Sequence, residues 1–302
     1  MNFIYLIFLS FIILEFHIYF SKRLGFYDQP NKRSSHKNKV LTGGGIVFVF
    51  IIFICFFLND LKPNYLFLTF ILLSSISLAD DFLNIDIKFR IFVHFICSFV
   101  LVFNLIPIQI PIIYYFLCII IIVSWINAFN FMDGINGMIC TYSIINLLTF
   151  LYINQKNEFI NNELLLFCLA PLIIFSFYNF RHKALLFCGD VGSISIAFIF
   201  SYIMVSLLIN SGDIKYILMF SVYGIDTFFT ILERVAKKQK LGEAHRLHLY
   251  QLLVNEARIS HILVSICYGI SQLLINYILI STNFGCNQFS VSSLLRKFKL
   301  NI

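Results

Sequence analysis

The sequence predicts an all-α fold, a polytopic transmembrane helical bundle of about ten helices, in a single integral-membrane domain over residues 1–302. Composition says so first: 60% of the residues are hydrophobic and only 12% are charged, against about 25% charged in a soluble domain. Mean hydropathy is +0.88. Apolar runs near the ~20 residues that a membrane-crossing helix needs recur along the chain, separated by short polar loops. The net charge of +7 sits in those loops. It therefore reads as topology and contact with anionic membrane lipid, not as a surface for nucleic acid. Eight cysteines show no C-x-x-C spacing and mostly lie inside apolar runs. They read as small buried hydrophobes, with no disulfide framework and no zinc site.

Taken in order, the first span covers about 2–20. No Lys or Arg precedes it, basic residues follow it, and it is too long for a signal-peptide core, so it is expected to stay as a span with its N-terminus outside. The second, 43–59, opens on Thr42-Gly43-Gly44-Gly45. The third, 64–79, is short and closes on Asp80-Asp81. The fourth and fifth, 88–106 and 111–129, are joined by a loop with almost no charge at 107–111. The sixth, 135–153, starts between Gly134 and the residues after Gly137. The seventh is 163–180, and the eighth, 193–210, follows Gly189-Asp190-Val191-Gly192-Ser193. The ninth is 214–232, and the tenth, 259–282, comes after a basic loop from Lys237 to Arg258.

Charge bias orients these spans. The side reached after the first span holds 16 Lys and Arg residues and the other side holds 6, which makes the first side cytoplasmic. Both termini then lie outside, with the basic tail as a mild departure from the rule. The outer loops are tiny, and the cytoplasmic loops carry every polar motif.

Those motifs are conspicuous because a charge at a helix centre costs roughly 2.5–3.5 kcal/mol on insertion scales. Asp80-Asp81 are adjacent carboxylates, each favouring protonation of the other unless a cation intervenes. Hard oxygen ligands suit magnesium, which takes one or two carboxylates plus substrate phosphates. The alternative is a solvated helix end. Asn127, Asn130 and Asp133 are spaced by three, which on a helix is one face. An amide-amide-carboxylate stripe suits a polar ligand such as a nucleotide or a sugar, or helix-to-helix hydrogen bonding. Asp190 lies between two glycines before a helix N-terminus that attracts phosphate, or it is a simple N-cap. His245 and His248, with Arg246 between them, suit phosphate better than metal, since no carboxylate cluster is local; the plain alternative is a positive loop. The first cytoplasmic loop, from Asp28 to His36, leads into the Gly43–Gly45 turn, which also suits an anion.

Together and in this order, these residues resemble the polyprenyl-phosphate N-acetylhexosamine-1-phosphate transferases, the WecA/MraY superfamily (glycosyltransferase family 4). The likeness runs from Asp28 to about Gln251. The stretch His245-Arg246-x-His248-x-Tyr250-Gln251 is similar to that of the WbpL-like branch, which starts O-antigen or other surface-glycan synthesis.

The resemblance implies a reaction. A UDP-N-acetylhexosamine gives its sugar-1-phosphate to undecaprenyl phosphate at the cytoplasmic face of a bacterial inner membrane. A lipid-linked sugar diphosphate forms and UMP leaves. Magnesium, replaceable by manganese, would bridge the donor diphosphate. By position, Asp190 matches the magnesium-binding Asp. Asp80 and Asp81 match the acidic pair, with Asp80 as a second metal ligand. Asp133 joins the catalytic acids. Asn127, Asn130 and Asn136 match donor-binding positions, Phe187 an aromatic that stacks on uracil, and His36, His245, Arg246 and His248 the loops near the donor phosphates. A homodimer is a family expectation.

The chain departs from the family pattern at three places. Asn136 stands where the family often has a second acid, and an amide still pairs with uracil. The usual Pro before the first-loop glycines is absent. The dense histidine run of the MraY branch is reduced to two, which disfavours phospho-N-acetylmuramoyl-pentapeptide transfer as the alternative. An ion-coupled secondary transporter is the other alternative; it would show midplane charges and internal repeats.

Overall fold

Each of the ten apolar segments is helical in the computed structural model, which describes residues 2–29, 39–58, 63–83, 85–108, 110–240 and 245–282. His36 lies outside the described residues. The first helix, α1 (Phe3–Leu24), begins where the Asn2 side chain accepts the Ile4 amide at 3.1 Å and ends at Gly25. A small ribbon follows, β1 (Tyr27–Asp28) antiparallel to β2 (Val40–Leu41). The chain continues through α2 (Ile46–Leu58), α3 (Asn64–Leu83), α4 (Ile87–Leu105), α5 (Ile112–Phe131), α6 (Met138–Asn157), α7 (Asn162–Asn179) and α8 (Asp190–Ser211). A 3-10 helix (Ile214–Phe220) leads directly into α9 (Ser221–Ala236), and α10 (Leu249–Asn255) and α11 (His261–Ser281) close the described chain.

Eight helical segments among the described residues are long and apolar enough to cross a membrane. Two of the ten expected spans differ. With 13 residues, α2 is about 20 Å long, short of a hydrocarbon core about 30 Å thick. The other, α6, buries Asn146, Thr149 and Asn154. Asn154 bonds the turn into α7, through Ile160 and Asn162, and the other two are matched across the bundle. Asn276 on α11 donates to Asn146 Oδ1 at 3.1 Å and to Thr149 Oγ1 at 3.0 Å. Gln272 donates to Asn276 Oδ1 at 2.8 Å, and its own oxygen accepts the Val222 amide at 3.2 Å. Side-chain amides in hydrocarbon need such partners, and here they link α6, α11 and the start of α9.

At the centre stands α8. Nearly all of its residues are buried, as expected of a helix that is apolar all round. It packs on α2, α3 and α5. Ser195 bonds Ser74 on α3 at 2.7 Å. Gly45 and Gly192 let α2 and α8 touch backbone to backbone, because a Cβ on either would run into the other. The loop before α8 is also tied to the first cytoplasmic loop: the Phe187 amide donates to Leu41 O at 2.7 Å, and the Gly44 and Gly45 amides donate to Phe187 O at 2.9 Å and Cys188 O at 2.8 Å. An aromatic joint closes the other flank, with Trp125 on α5 stacked on Phe220 at 3.9 Å and Tyr142 stacked on Tyr223 at 3.7 Å.

Helix ends depart from the hydropathy pattern where polar residues find partners. Asp80 and Asp81 lie inside the last turn of α3, which runs to Leu83 and is unbroken. Asp190 is the first residue of α8, not a loop residue before it. The ninth segment is two pieces, the 3-10 helix capped by Asp213 and then α9.

Candidate active site

The end of α3, the start of α4, the end of α5, the start of α8 and the loop before α10 meet at one end of the bundle. Asp80 places one oxygen on the Ile85 amide at 2.7 Å and the other on the Arg90 guanidinium. The same Arg90 Nη1 donates to Asp190 Oδ2 at 2.6 Å. Two carboxylates from helices far apart in sequence thus face each other across one cation.

Asp81 does something different. Its two oxygens accept the first amides of α8, Asp190 N at 2.8 Å and Val191 N at 3.1 Å. It is an N-cap supplied from another helix, and it satisfies donors that every helix start leaves over. The expectation that this N-terminus awaits a phosphate is therefore corrected: those amides are already engaged by Asp81. Gly189 (φ 75°) makes the turn, and a side chain there would meet Asp81.

The amide stripe is divided by the end of α5. Asn127 lies 3.5 Å from His94 Nδ1 on α4 and donates to Val123 O at 2.7 Å. Asn130 accepts the Ser193 hydroxyl at 2.6 Å, one turn into α8. Asp133 lies beyond the helix, its amide on Asn130 O at 3.1 Å. Burial pushes its carboxyl well above the usual range, and the charges of Asp190, Asp81 and Asp28 push the same way. Asn136 is buried, and its amide nitrogen is committed to Arg181 O at 2.8 Å and His182 O at 3.2 Å. It pins the turn after α5 to the loop before α8, which leaves its oxygen for any uracil contact.

His245 and His248 are not on one helix. His245 lies outside any helix or strand and His248 caps α10, yet their rings lie 5.0 Å apart. Both flank Phe131, with ring centroids at 6.3 Å and 6.0 Å. Burial lowers the His245 imidazole to about 4, helped by His248 and Arg234, so it is neutral at neutral pH. Tyr250, stacked near His248, donates to Phe131 O at 2.8 Å. Arg246 is half-buried in the same loop and Phe187 half-buried in the loop before α8.

Among the described residues no group of three His, Cys, Asp or Glu side chains is arranged to hold a metal. The facing pair Asp80 and Asp190 nevertheless fits magnesium, which ordinarily takes one or two carboxylates and completes its shell with phosphate oxygens and water. A guanidinium held between the two shows that their oxygens converge on a cation.

Comparison with known proteins gives this geometry its context. The family model described as glycosyl transferase family 4 matches residues 63–208, from α3 into α8. The phospho-N-acetylmuramoyl-pentapeptide-transferase of Dictyoglomus turgidum is 33% identical over 253 residues, which cover 74% of this chain and 80% of the relative. The chain belongs to glycosyl transferase family 4, the polyprenyl-phosphate sugar-1-phosphate transferases of MraY/WecA type. This family 4 protein is an enzyme of the membrane, and the transporter alternative is set aside. A probable undecaprenyl-phosphate N-acetylglucosaminyl 1-phosphate transferase of Bacillus subtilis is 30% identical over 150 residues, 46% of this chain and 40% of that one. A phospho-N-acetylmuramoyl-pentapeptide-transferase of Borreliella burgdorferi is 26% identical over 301 residues, 84% of this chain and 85% of the relative.

Sequence reading missed two polar residues of this family 4 site. Arg90 belongs to no motif, and a basic residue at a membrane boundary reads as an anchor. Its signal was position, at the same boundary as Asp80. Asp226, buried in α9 and bonded to His248, was passed over although a lone acid in an apolar span is itself a functional flag.

Proposed function

We propose that the protein transfers N-acetylhexosamine-1-phosphate from a UDP-sugar to undecaprenyl phosphate at the cytoplasmic face of a bacterial inner membrane, and so starts a surface glycan such as O-antigen or capsule. The observation that carries this reading is the meeting, at one end of the bundle, of Asp80, Asp190 and Arg90 with Asn130, Asp133 and the histidine pair. A phosphate oxygen of the lipid attacks the sugar-bearing phosphorus of the donor. One anhydride linkage forms, the linkage to UMP breaks, and UMP departs with the electron pair.

Asp190 and Asp80 would hold magnesium, which supplies positive charge to the diphosphate when bound. Arg90 is placed to turn its fork toward phosphate oxygens. Asn127 and Asn130 suit the sugar or nucleoside. Burial raises the Asp133 carboxyl, which favours the protonated form that can donate a hydrogen bond where a free carboxylate would repel the donor. Phe187 would stack on uracil, and Arg246 with the histidines would line the donor phosphates.

The relatives named for muramoyl-pentapeptide transfer favour a second reading, the same chemistry on a larger donor. The reduced histidine loop favours the smaller one. The test is direct. Membranes from a host lacking its own such enzyme are given undecaprenyl phosphate and either UDP-N-acetylhexosamines or the muramoyl-pentapeptide donor, and the lipid product is identified. Labelled UMP should exchange into the accepted UDP-sugar only when lipid phosphate is present. Folded protein that exchanges UMP into none of these donors would sink both readings.

A further inference from the structure

Asp226 is an acid for which the transfer reaction has no direct use. It lies in the second turn of α9, 7% exposed, and four donors converge on it. The Tyr268 hydroxyl of α11 donates to Oδ2 at 2.6 Å. The Leu249 amide, at the start of α10, donates to Oδ1 at 3.0 Å. Thr230, one turn further along α9, donates to Oδ1 at 3.3 Å. His248 brings Nδ1 to the same oxygen at 3.2 Å, with Thr230 Oγ1 also 3.3 Å from that nitrogen. A carboxylate has room for about four such donors, so this one is saturated and fixed from three helices.

The other end of the histidine is unpartnered. His248 is 2% exposed, yet its Nε2 is buried with no hydrogen-bond partner among the described residues. A buried ring nitrogen left unmade is costly, and native proteins rarely leave one without a purpose. The ring stacks on Tyr250 at 5.7 Å and lies beside Phe131 and His245. The ring therefore lies against the end of α5, the helix that carries Asn130. Which nitrogen of a histidine holds the proton is set by the bond the other one makes.

We propose that Asp226 is a positioning residue: it keeps the proton of His248 on Nδ1, and its charge behind the ring lets Nε2 take up a proton from solvent when the nucleotide-sugar diphosphate binds, so that the imidazolium donates to a phosphate oxygen. The inference rests on the transferase reading above and adds the residue that orients one of its phosphate contacts.

The experiment uses full-length protein in detergent with its histidines labelled with nitrogen-15. The His248 signal is assigned by its loss in H248Q. Without ligand, wild type should show Nδ1 protonated and Nε2 bare. On addition of UDP-N-acetylglucosamine with magnesium, Nε2 should become protonated as well. D226N should move the proton to Nε2, and D226E should restore the wild-type pattern in part. A bare Nδ1 in the unliganded wild type overturns the proposal without any variant at Asp226, and so does a tautomer that D226N leaves unchanged.

Kinetics give the second arm. D226N and H248Q should each lower transfer about 10–100-fold, and the double variant should be no worse than H248Q alone. Strictly additive losses would mean that Asp226 acts elsewhere, and would overturn the proposal. If wild type accepts no UDP-sugar, the transferase reading fails while the resting tautomer still judges the Asp226–His248 pair.

Discussion

Arg90 holds two acids that would otherwise repel each other. Its guanidinium is shared by Asp80 and Asp190, the oxygens proposed for magnesium, so arginine and metal compete for one seat. Arg90→Gln should therefore bind manganese more tightly than wild type, as read by the loss of free-ion signal in electron paramagnetic resonance. Its transfer rate should fall about 10–100-fold, because the fork proposed to meet phosphate is gone. Manganese binding that is unchanged or weaker would separate Arg90 from the metal. Asp190→Asn keeps shape and loses charge, and should lower transfer by about two orders of magnitude or more while the protein still inserts. Near-normal turnover would remove Asp190 from the site.

Asp133 makes a prediction about pH. Its carboxyl is pushed well up by burial and by Asp190, Asp81 and Asp28. A raised carboxyl favours the folded state fully only below the ordinary carboxylate range, and that contribution is lost as pH rises toward the raised value. Asp133→Asn should then melt higher than wild type at about pH 8, and the gap should close toward about pH 5. A gap that does not change with pH would show that Asp133 ionises normally. Acids at apolar boundaries were legible in the sequence because a charge there is costly and calls for a partner. Arg90 and Asp226 were not, since a boundary cation and a single mid-span acid each show their purpose only once the partner, Asp190 or His248, is in view.

At the scale of elements, the start of α8 is the structural keystone of the site. Asp81 caps it from α3 through both oxygens, and Gly45 lets α2 lie against Gly192. Asp81→Ala should cost about 0.5–2 kcal/mol, the usual worth of an N-cap, and Gly45→Ala about 1–3 kcal/mol from overpacking. Both would be read as lower melting midpoints in detergent, and an unchanged midpoint in both would mean that the α2–α8 contact is slack. The helices themselves were legible from apolar length. Their ends were not: hydropathy stops at the first charge, whereas α3 runs on through Asp80 and Asp81 because Ile85, Arg90 and the α8 amides take up their oxygens. The break between the 3-10 helix and α9 left no mark in hydropathy either, since both pieces are apolar.

For the whole molecule, the site gathers helix ends that the charge bias puts on one side. Reporter fusions after Lys183 and Lys240 should face the cytoplasm, and fusions near Pro111 and Gly212 should face outward. A reversed result at Lys240 would part the histidine pair from the aspartates. The bundle also contains its own optical instrument. Trp125 is the chain's single tryptophan, stacked on Phe220 with the ring planes only 4° apart, at the point where α5, which carries Asn130 in its last turn, meets the run into α9, which bears Asp226. Selective excitation of indole therefore lights one chromophore at one joint. The proposed nucleotide-sugar, bound at Asn130 and the histidine pair, should shift that stack and with it the indole emission, and an emission unchanged at saturating nucleotide-sugar would mean that this joint does not move.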